Sequence, residues 1–337
     1  MFADLLTKLL RRDDLSTDEA ARAMDAVMRG EAHPAHVAGL LVGLAMKGER
    51  PGELVGLART MRSHGVQITA GPVAVDTCGT GGDRAGTFNI STASAIVVAA
   101  TGVQVVKHGN RSVSSHCGSA DVLEALGVAI DAPPAVVQHA LDDAGMCFCF
   151  APTFHPAMRH AGEARRALGV PSAFNLLGPL TNPARVPFQV VGVARPELTE
   201  LMARALQQLG ARRAWVVHGA DGLDELSTTG YTKVSECHGD VVRTFYVHPA
   251  DVGLPKAAAG ALAGGDAAHN AGVVSGVLAG HQGPARDVVL LNAGAALLVA
   301  GRVPSLRDGI ALAAAAIDEG AAARTLARLV AATRPPA

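Results

Sequence analysis

Along the first 66 residues, apolar side chains recur at intervals of three and four. Leu, Ala and Met carry that stripe, Ser16 with Glu19 makes a capping box, and Pro51 stands where a helix would begin, so the region reads as helices only. From Val73 the pattern changes to short Val-rich runs between Ala-rich amphipathic stretches. These predict strand 73–77, helix 91–101, strand 103–107, helices 119–126 and 133–144, strand 146–150 and helix 156–168. Beyond Asn182-Pro183 the alternation resumes with strand 188–193, helix 196–209 and strand 213–218. A hairpin pairing 232–238 with 241–247 across Gly239-Asp240 follows, then Ala-rich helices. Strand–helix alternation argues for a largely parallel sheet covered on both faces, with ligand loops at the carboxyl ends of its strands. The expected class is α/β: a small helical domain over 1–70 and a larger α/β domain with a mostly parallel central sheet over 71–337.

Composition narrows the partners. A net charge of −1 gives no global field to attract nucleic acid or an anionic membrane, so any anion site has to be local. No uninterrupted apolar run reaches the roughly 18 residues a membrane span needs, and Met1 to Leu10 carries no secretory pattern. Five scattered cysteines, at 78, 117, 147, 149 and 237, fit a reducing compartment and a cytoplasmic setting. Cys147-Phe148-Cys149 has the wrong spacing for a zinc knuckle, and Met146 to Phe150 reads as a buried strand.

The chemistry lies in three clusters. Asp76-Thr77-Cys78-Gly79-Thr80-Gly81-Gly82-Asp83 follows the first Val-rich run. Its glycines let successive backbone N–H groups point into one concavity, where an anion can replace water. Ser91 at the next helix start suits either an N-cap or contact with a bound cation. The second cluster, Lys107-His108-Gly109-Asn110-Arg111-Ser112, adds fixed charge. With five lysines against twenty-four arginines in the chain, a lysine ending a strand reads as a placed point charge. Hydroxyls continue through Ser114, Ser115 and Ser119. The third, Asp221-Gly222-Leu223-Asp224-Glu225, puts two adjacent carboxylates past strand 213–218, which suits Mg²⁺ bridging to phosphate oxygens.

These segments, taken in order with Phe88-Asn89-Ile90-Ser91-Thr92-Ala93, His155-Pro156-Ala157-Met158, the run Phe174 to Pro183 and Ala285-Arg286-Asp287-Val288-Val289-Leu290-Leu291-Asn292-Ala293, resemble anthranilate phosphoribosyltransferases over nearly the whole chain. The resemblance implies a tryptophan-biosynthesis enzyme moving the phosphoribosyl group of 5-phosphoribosyl pyrophosphate (PRPP) onto the amino nitrogen of anthranilate. It also implies a nucleoside-phosphorylase-like fold, two Mg²⁺ ions per subunit, and a homodimer made by the helical domain with a contribution from 168–184. Gly79, Gly82, Asp83, Thr87, Asn89, Ser91 and Thr92 are the implied PRPP contacts. Lys107, His108, Gly109, Asn110, Arg111, Ser112, Val113, Ser114 and Ser115, with Ser119, are the loop implied to close over PRPP. Ser91, Asp224 and Glu225 are the implied metal ligands. Anthranilate falls to Gly79, Asn110 and Arg165, with His108, Pro152 and His155 lining its approach. A planar guanidinium suits a benzoate carboxylate, although residue type alone does not separate Arg165 from Arg166.

The chain departs from the commonest family pattern at His116-Cys117, Pro171-Ser172-Ala173 and Phe154, which bear on loop dynamics and affinity rather than on reaction class. No nucleophile–base–orienter set is evident. An aniline-type amine is already neutral near pH 7, so the expected mechanism rests on positioning without a side-chain base. Three other readings remain open: a pyrimidine nucleoside phosphorylase of the same architecture, a nucleic-acid-binding paralogue without transferase activity, and an inactive structural paralogue that binds PRPP but not anthranilate.

Overall fold

The computed structural model describes residues 1–83, 85–112 and 117–334. Four helices come first: α1 (Phe2–Leu10), α2 (Thr17–Met28), α3 (Pro34–Lys47) and α4 (Pro51–Ser63). Ser16 accepts from the Glu19 N–H at 3.2 Å while Glu19 accepts from the Ser16 N–H at 2.9 Å, closing the expected capping box. Pro34 and Pro51 open their helices, where a missing N–H costs nothing.

The alternating region follows. Its strands are β1 (Val75–Gly79), β2 (Val105–Gly109), β3 (Met146–Phe150), β4 (Phe188–Gly192), β5 (Arg213–Gly219), β6 (Thr232–His238) and β7 (Val241–Val247). Between and after them run α5 (Ile90–Ala100), α6 (Ser119–Ala125), α7 (Pro134–Ala144), α8 (Ala151–Phe154), α9 (Arg159–Leu168), α10 (Ala173–Leu180), α11 (Leu198–Gln208), α12 (Ala267–Leu278), α13 (Pro284–Val299), α14 (Leu306–Asp318) and α15 (Ala321–Thr333). The sheet order is β3-β2-β1-β4-β5-β6-β7. The first five strands are parallel and the last two antiparallel. From β1 the chain goes to β2 on one side and later returns to β4 on the other. A crevice therefore opens beyond the carboxyl end of β1.

Side chains alternate between the sheet's two faces, and each face has its own core. Val190, Trp215 and Val217 join Ile96, Val289 and Leu291 on one side. Val191, Ala214 and Val216 join Leu54 and Leu57 of α4, Leu177 and Leu180 of α10, and Met202 and Leu206 of α11 on the other. The N-terminal helices thus share a core with the sheet through α10 and α11.

Strand β3 and the β6–β7 hairpin fall where the sequence pattern puts them. Strands β1 and β2 begin two residues later than expected; Val73 lies outside the sheet and is 46% exposed. The expected helix 156–168 is interrupted. Pro156 opens a single 3₁₀ turn, Pro156–Met158, between α8 and α9, since its ring cannot continue an α-helix from the preceding turn. Helix α10, with Pro179 inside it, has no counterpart among the expected elements.

Candidate active site

The glycine loop leaves β1 at Gly79, and Gly81 and Gly82 take φ of 67° and 82°, the left-handed region open to glycine. Asp224 is wedged between the ends of β1 and β4. Its Oδ2 accepts from the Gly81 N–H at 2.9 Å, and a Cβ on either Gly79 or Gly192 would overlap Asp224 atoms. Asp83 accepts from the Asp224 N–H at 3.4 Å. Ser91 lies in the first turn of α5, with Asn89 rather than Ser91 at the N-cap, and its N–H and hydroxyl favour the ionised form of the Glu225 carboxylate. Burial pushes the carboxyl of Asp224 well up, with Glu225 and Asp83 adding to the shift; burial also raises Glu225. Crowded carboxylates beside a hydroxyl fit a hard divalent cation, whose charge would relieve that repulsion. Among the described residues no three acidic, His or Cys side chains are gathered tightly enough to cage an ion alone, so such an ion would draw further oxygens from a ligand.

Lys107 differs from the expected strand-end point charge. It is the third residue of β2, is 1% exposed, and donates to the Thr77 carbonyl at 2.5 Å and Ser91 Oγ at 3.2 Å. It thus underpins the loop from below. Arg111 is also engaged, donating at 2.8 Å to Asp121 and at 2.8 and 3.0 Å to Glu124. Asp121 gathers the base of the second loop, accepting from the Ser112 N–H at 3.2 Å and the Gly118 N–H at 2.8 Å; sequence reasoning gave it no role. Asn110 is exposed, and its carbonyl takes the Ser119 hydroxyl at 3.4 Å. Val113, Ser114, Ser115 and His116 lie outside the described residues. Thr92 is fully buried within α5 and does not line the cleft, unlike Thr87, Asn89 and Ser91.

At the other end, His108 and His155 stand edge to face, ring centroids 5.2 Å apart. His108 Nδ1 lies 3.1 Å from the Gly178 carbonyl and His155 Nε2 lies 3.0 Å from that of Thr181. A carbonyl accepts only, so those nitrogens carry the protons. Burial lowers the His108 pKa to about 3 and that of His155 to about 4, so both rings are neutral at pH 7. Arg165 lies over the Phe174 ring, 5.1 Å from its centroid, and burial lowers its pKa. It lines the cleft together with Pro152, Met158 and Gly178, whereas Arg166 is exposed and does not. One cleft of ≈ 720 Å³ joins this end to the glycine loop and acidic pair.

A third segment braces the loop. Thr87 pairs with Ala263, the Phe88 N–H donates to the Leu262 carbonyl at 3.2 Å, and the Gly264 N–H to that of Gly86 at 2.8 Å. Nothing in the sequence pattern marks that contact, which joins residues far apart in the chain.

Two family models match: the glycosyl transferase family helical bundle domain over residues 3–65 and its a/b domain over 71–323. The anthranilate phosphoribosyltransferase of Moorella thermoacetica is 54% identical over 327 residues, covering 97% of this chain and 96% of that protein. That of Desulfatibacillum aliphaticivorans is 52% identical over 331 residues and 98% of each. Among solved structures, anthranilate phosphoribosyltransferase from Thermus thermophilus superposes with a TM-score of 0.93 at 46% identity, covering 98% of this chain and 99% of that one. The Saccharomyces cerevisiae protein in complex with PRPP and Mg gives 0.89 at 27% identity, over 98% of this chain and 97% of that one. The same protein in complex with 4-fluoroanthranilate gives 0.87 at 27%, over 99% and 98%.

Proposed function

Because this chain belongs to the anthranilate phosphoribosyltransferases, we propose that its cleft transfers the phosphoribosyl group of PRPP to the amino nitrogen of anthranilate, releasing pyrophosphate in tryptophan biosynthesis. The supporting observation is that a single cleft has two chemically distinct ends. One offers glycine-loop N–H groups and crowded carboxylates, the other an arginine and two neutral histidines.

The glycine loop, Asp83, Thr87, Asn89 and Ser91 hold the phosphates, and Ser91, Asp224 and Glu225 hold Mg²⁺, two ions per subunit. When bound, Mg²⁺ neutralises charge on the pyrophosphate group. Lys107 keeps Ser91 and the end of β1 in place. Asn110 and the second loop cover PRPP, and the Arg165 fork takes the anthranilate carboxylate. His108 and His155 wall the acceptor end and orient the ring. Their N–H groups are committed to carbonyls and their free nitrogens are too weakly basic to deprotonate an amine. Holding the amine in line behind C1′ supplies roughly 7–11 kcal/mol, with inversion at that carbon. Well-placed donors on the departing pyrophosphate add about 3–4 kcal/mol.

We assign residues 71–337 to catalysis and residues 1–70, with 168–184, to a homodimer contact. Exposed Leu10, Val42, Met46 and Val170 support that contact. Five buried cysteines without disulfides suit the cytoplasm. Pyrophosphate release matched one to one with anthranilate consumption tests the assignment. Phosphorolysis of uridine in place of that release would overturn it.

A further inference from the structure

We propose that Asn270 is a positioning residue that fixes the polarity of the Asn89 amide, so that Asn89 offers an N–H, not a carbonyl oxygen, to the phosphate-bearing substrate. The inference rests on the reading that PRPP occupies the glycine-loop end of the cleft.

Four groups form a directional chain. The Gly265 backbone N–H donates to Asn270 Oδ1 at 2.8 Å. Asn270 Nδ2 is thereby turned to Asn89 Oδ1, at 3.0 Å, and Asn89 Nδ2 to the Cys117 carbonyl, at 3.2 Å. Both termini are backbone groups with no choice of role, a donor at Gly265 and an acceptor at Cys117. The two amides between them are therefore each set in one orientation. Asn270 is 1% exposed and does not line the cleft; Asn89 does. Asn89 also sits at the N-cap of α5 without making the side-chain cap bond usual for asparagine there. Its oxygen is committed to Asn270 and to the Cys117 thiol at 3.3 Å. Among the described residues, what the amide has left is the second hydrogen on Nδ2, the polarity an anion requires. The same chain ties the far end of the second loop, at Cys117, to α12.

Asn270→Asp keeps shape and the Gly265 bond but sets oxygen against Asn89 Oδ1, driving the Asn89 amide to flip and face phosphate with its carbonyl. Asn270→Leu removes the bias without reversing it. PRPP binding with Mg²⁺ would be measured calorimetrically on the wild-type, N270D and N270L full chains, with thermal melts and the anthranilate KM alongside. We expect N270D to weaken PRPP binding about tenfold or more and N270L by a smaller factor, with the anthranilate KM within about twofold. Wild-type binding of PRPP with both variants equal to it overturns the inference alone, as does N270L falling below N270D. Should N270D melt early, a folded N270L with unchanged PRPP affinity would overturn it just as well. A wild-type chain that binds no PRPP overturns the reading of the site itself.

Discussion

His108 and His155 are 6% and 3% exposed, and both are neutral in the folded protein because burial disfavours the imidazolium. An unfolded histidine titrates near 6.5. Between that value and about 4 the unfolded chain therefore binds more protons than the folded one, and stability rises with pH across the window. At about 1.4 kcal/mol per pKa unit, His155 alone removes on the order of 3 kcal/mol as pH falls from 6.5 to 4. The melting temperature should drop over that range, and less steeply in His155→Asn. From pH 7 to 9 neither ring titrates, so a bell-shaped kcat profile that flattens on replacing either histidine would contradict the base-free mechanism. Arg165→Ala should raise the anthranilate KM at least tenfold, the worth of about 1.5–3 kcal/mol for a lost charge-assisted pair, with kcat little changed; Arg166→Ala should leave it nearly unchanged. A collapse of kcat alone would remove Arg165 from its assigned role. Asp224→Asn with Glu225→Gln should raise the Mg²⁺ concentration needed for half-maximal rate; an unshifted titration would deny them the metal. Residue type announced these carboxylates and the glycines. It could not separate Arg165 from Arg166, because that choice depends on which face of α9 meets Phe174, a contact made across the fold. Lys107 departs from its expected place for a related reason: strand registration, not composition, buries its ammonium under Ser91.

Elements with a strong period were legible. The β6–β7 hairpin and β3 follow from β-branched and apolar runs bounded by turn residues. Helix α10 was not, because eight residues containing Pro179 carry little periodicity, and packing against α4 and the sheet's second core sustains it. Yet α10 supplies the Gly178 carbonyl, and Thr181 just beyond it the other, that hold the two histidines. The bracing of the glycine loop by residues 262–264 is a non-local backbone pairing with no local signal. Gly192 lets the acidic turn pack against the end of β4. The Asp224 carbonyl rests where a Cβ would stand, and the Thr80 N–H donates to the Gly192 carbonyl at 2.9 Å. Gly192→Ala should therefore push the acidic turn away from the glycine loop, raising the Mg²⁺ requirement at a cost of about 1–3 kcal/mol in stability. A variant with wild-type metal dependence would show that the wedge does not set the acidic pair.

At the scale of the whole molecule, the sheet separates two cores, and the N-terminal helices reach the candidate cleft through α4 and α10, where Met61 and Phe174 line it. The strand–helix alternation was enough to expect this layered α/β arrangement. It could not show that the helical region shares a core with the sheet, since that depends on α10 and α11. Exposed Val42, Met46 and Val170 lie on and beside α3; if the proposed homodimer contact uses this face, the wild-type protein should sediment as a dimer and Met46→Asp with Val170→Asp as a monomer, whereas a monomeric wild type or an unchanged profile would contradict that contact. In the proposed reaction one cleft joins a phosphoribosyl donor to an aromatic amine through position and charge. Anthranilate fluorescence followed on mixing the protein with PRPP, with and without Mg²⁺, reads that transfer itself. Metal-dependent loss of fluorescence is the predicted result; undiminished fluorescence from a folded protein with both substrates and metal present would contradict it.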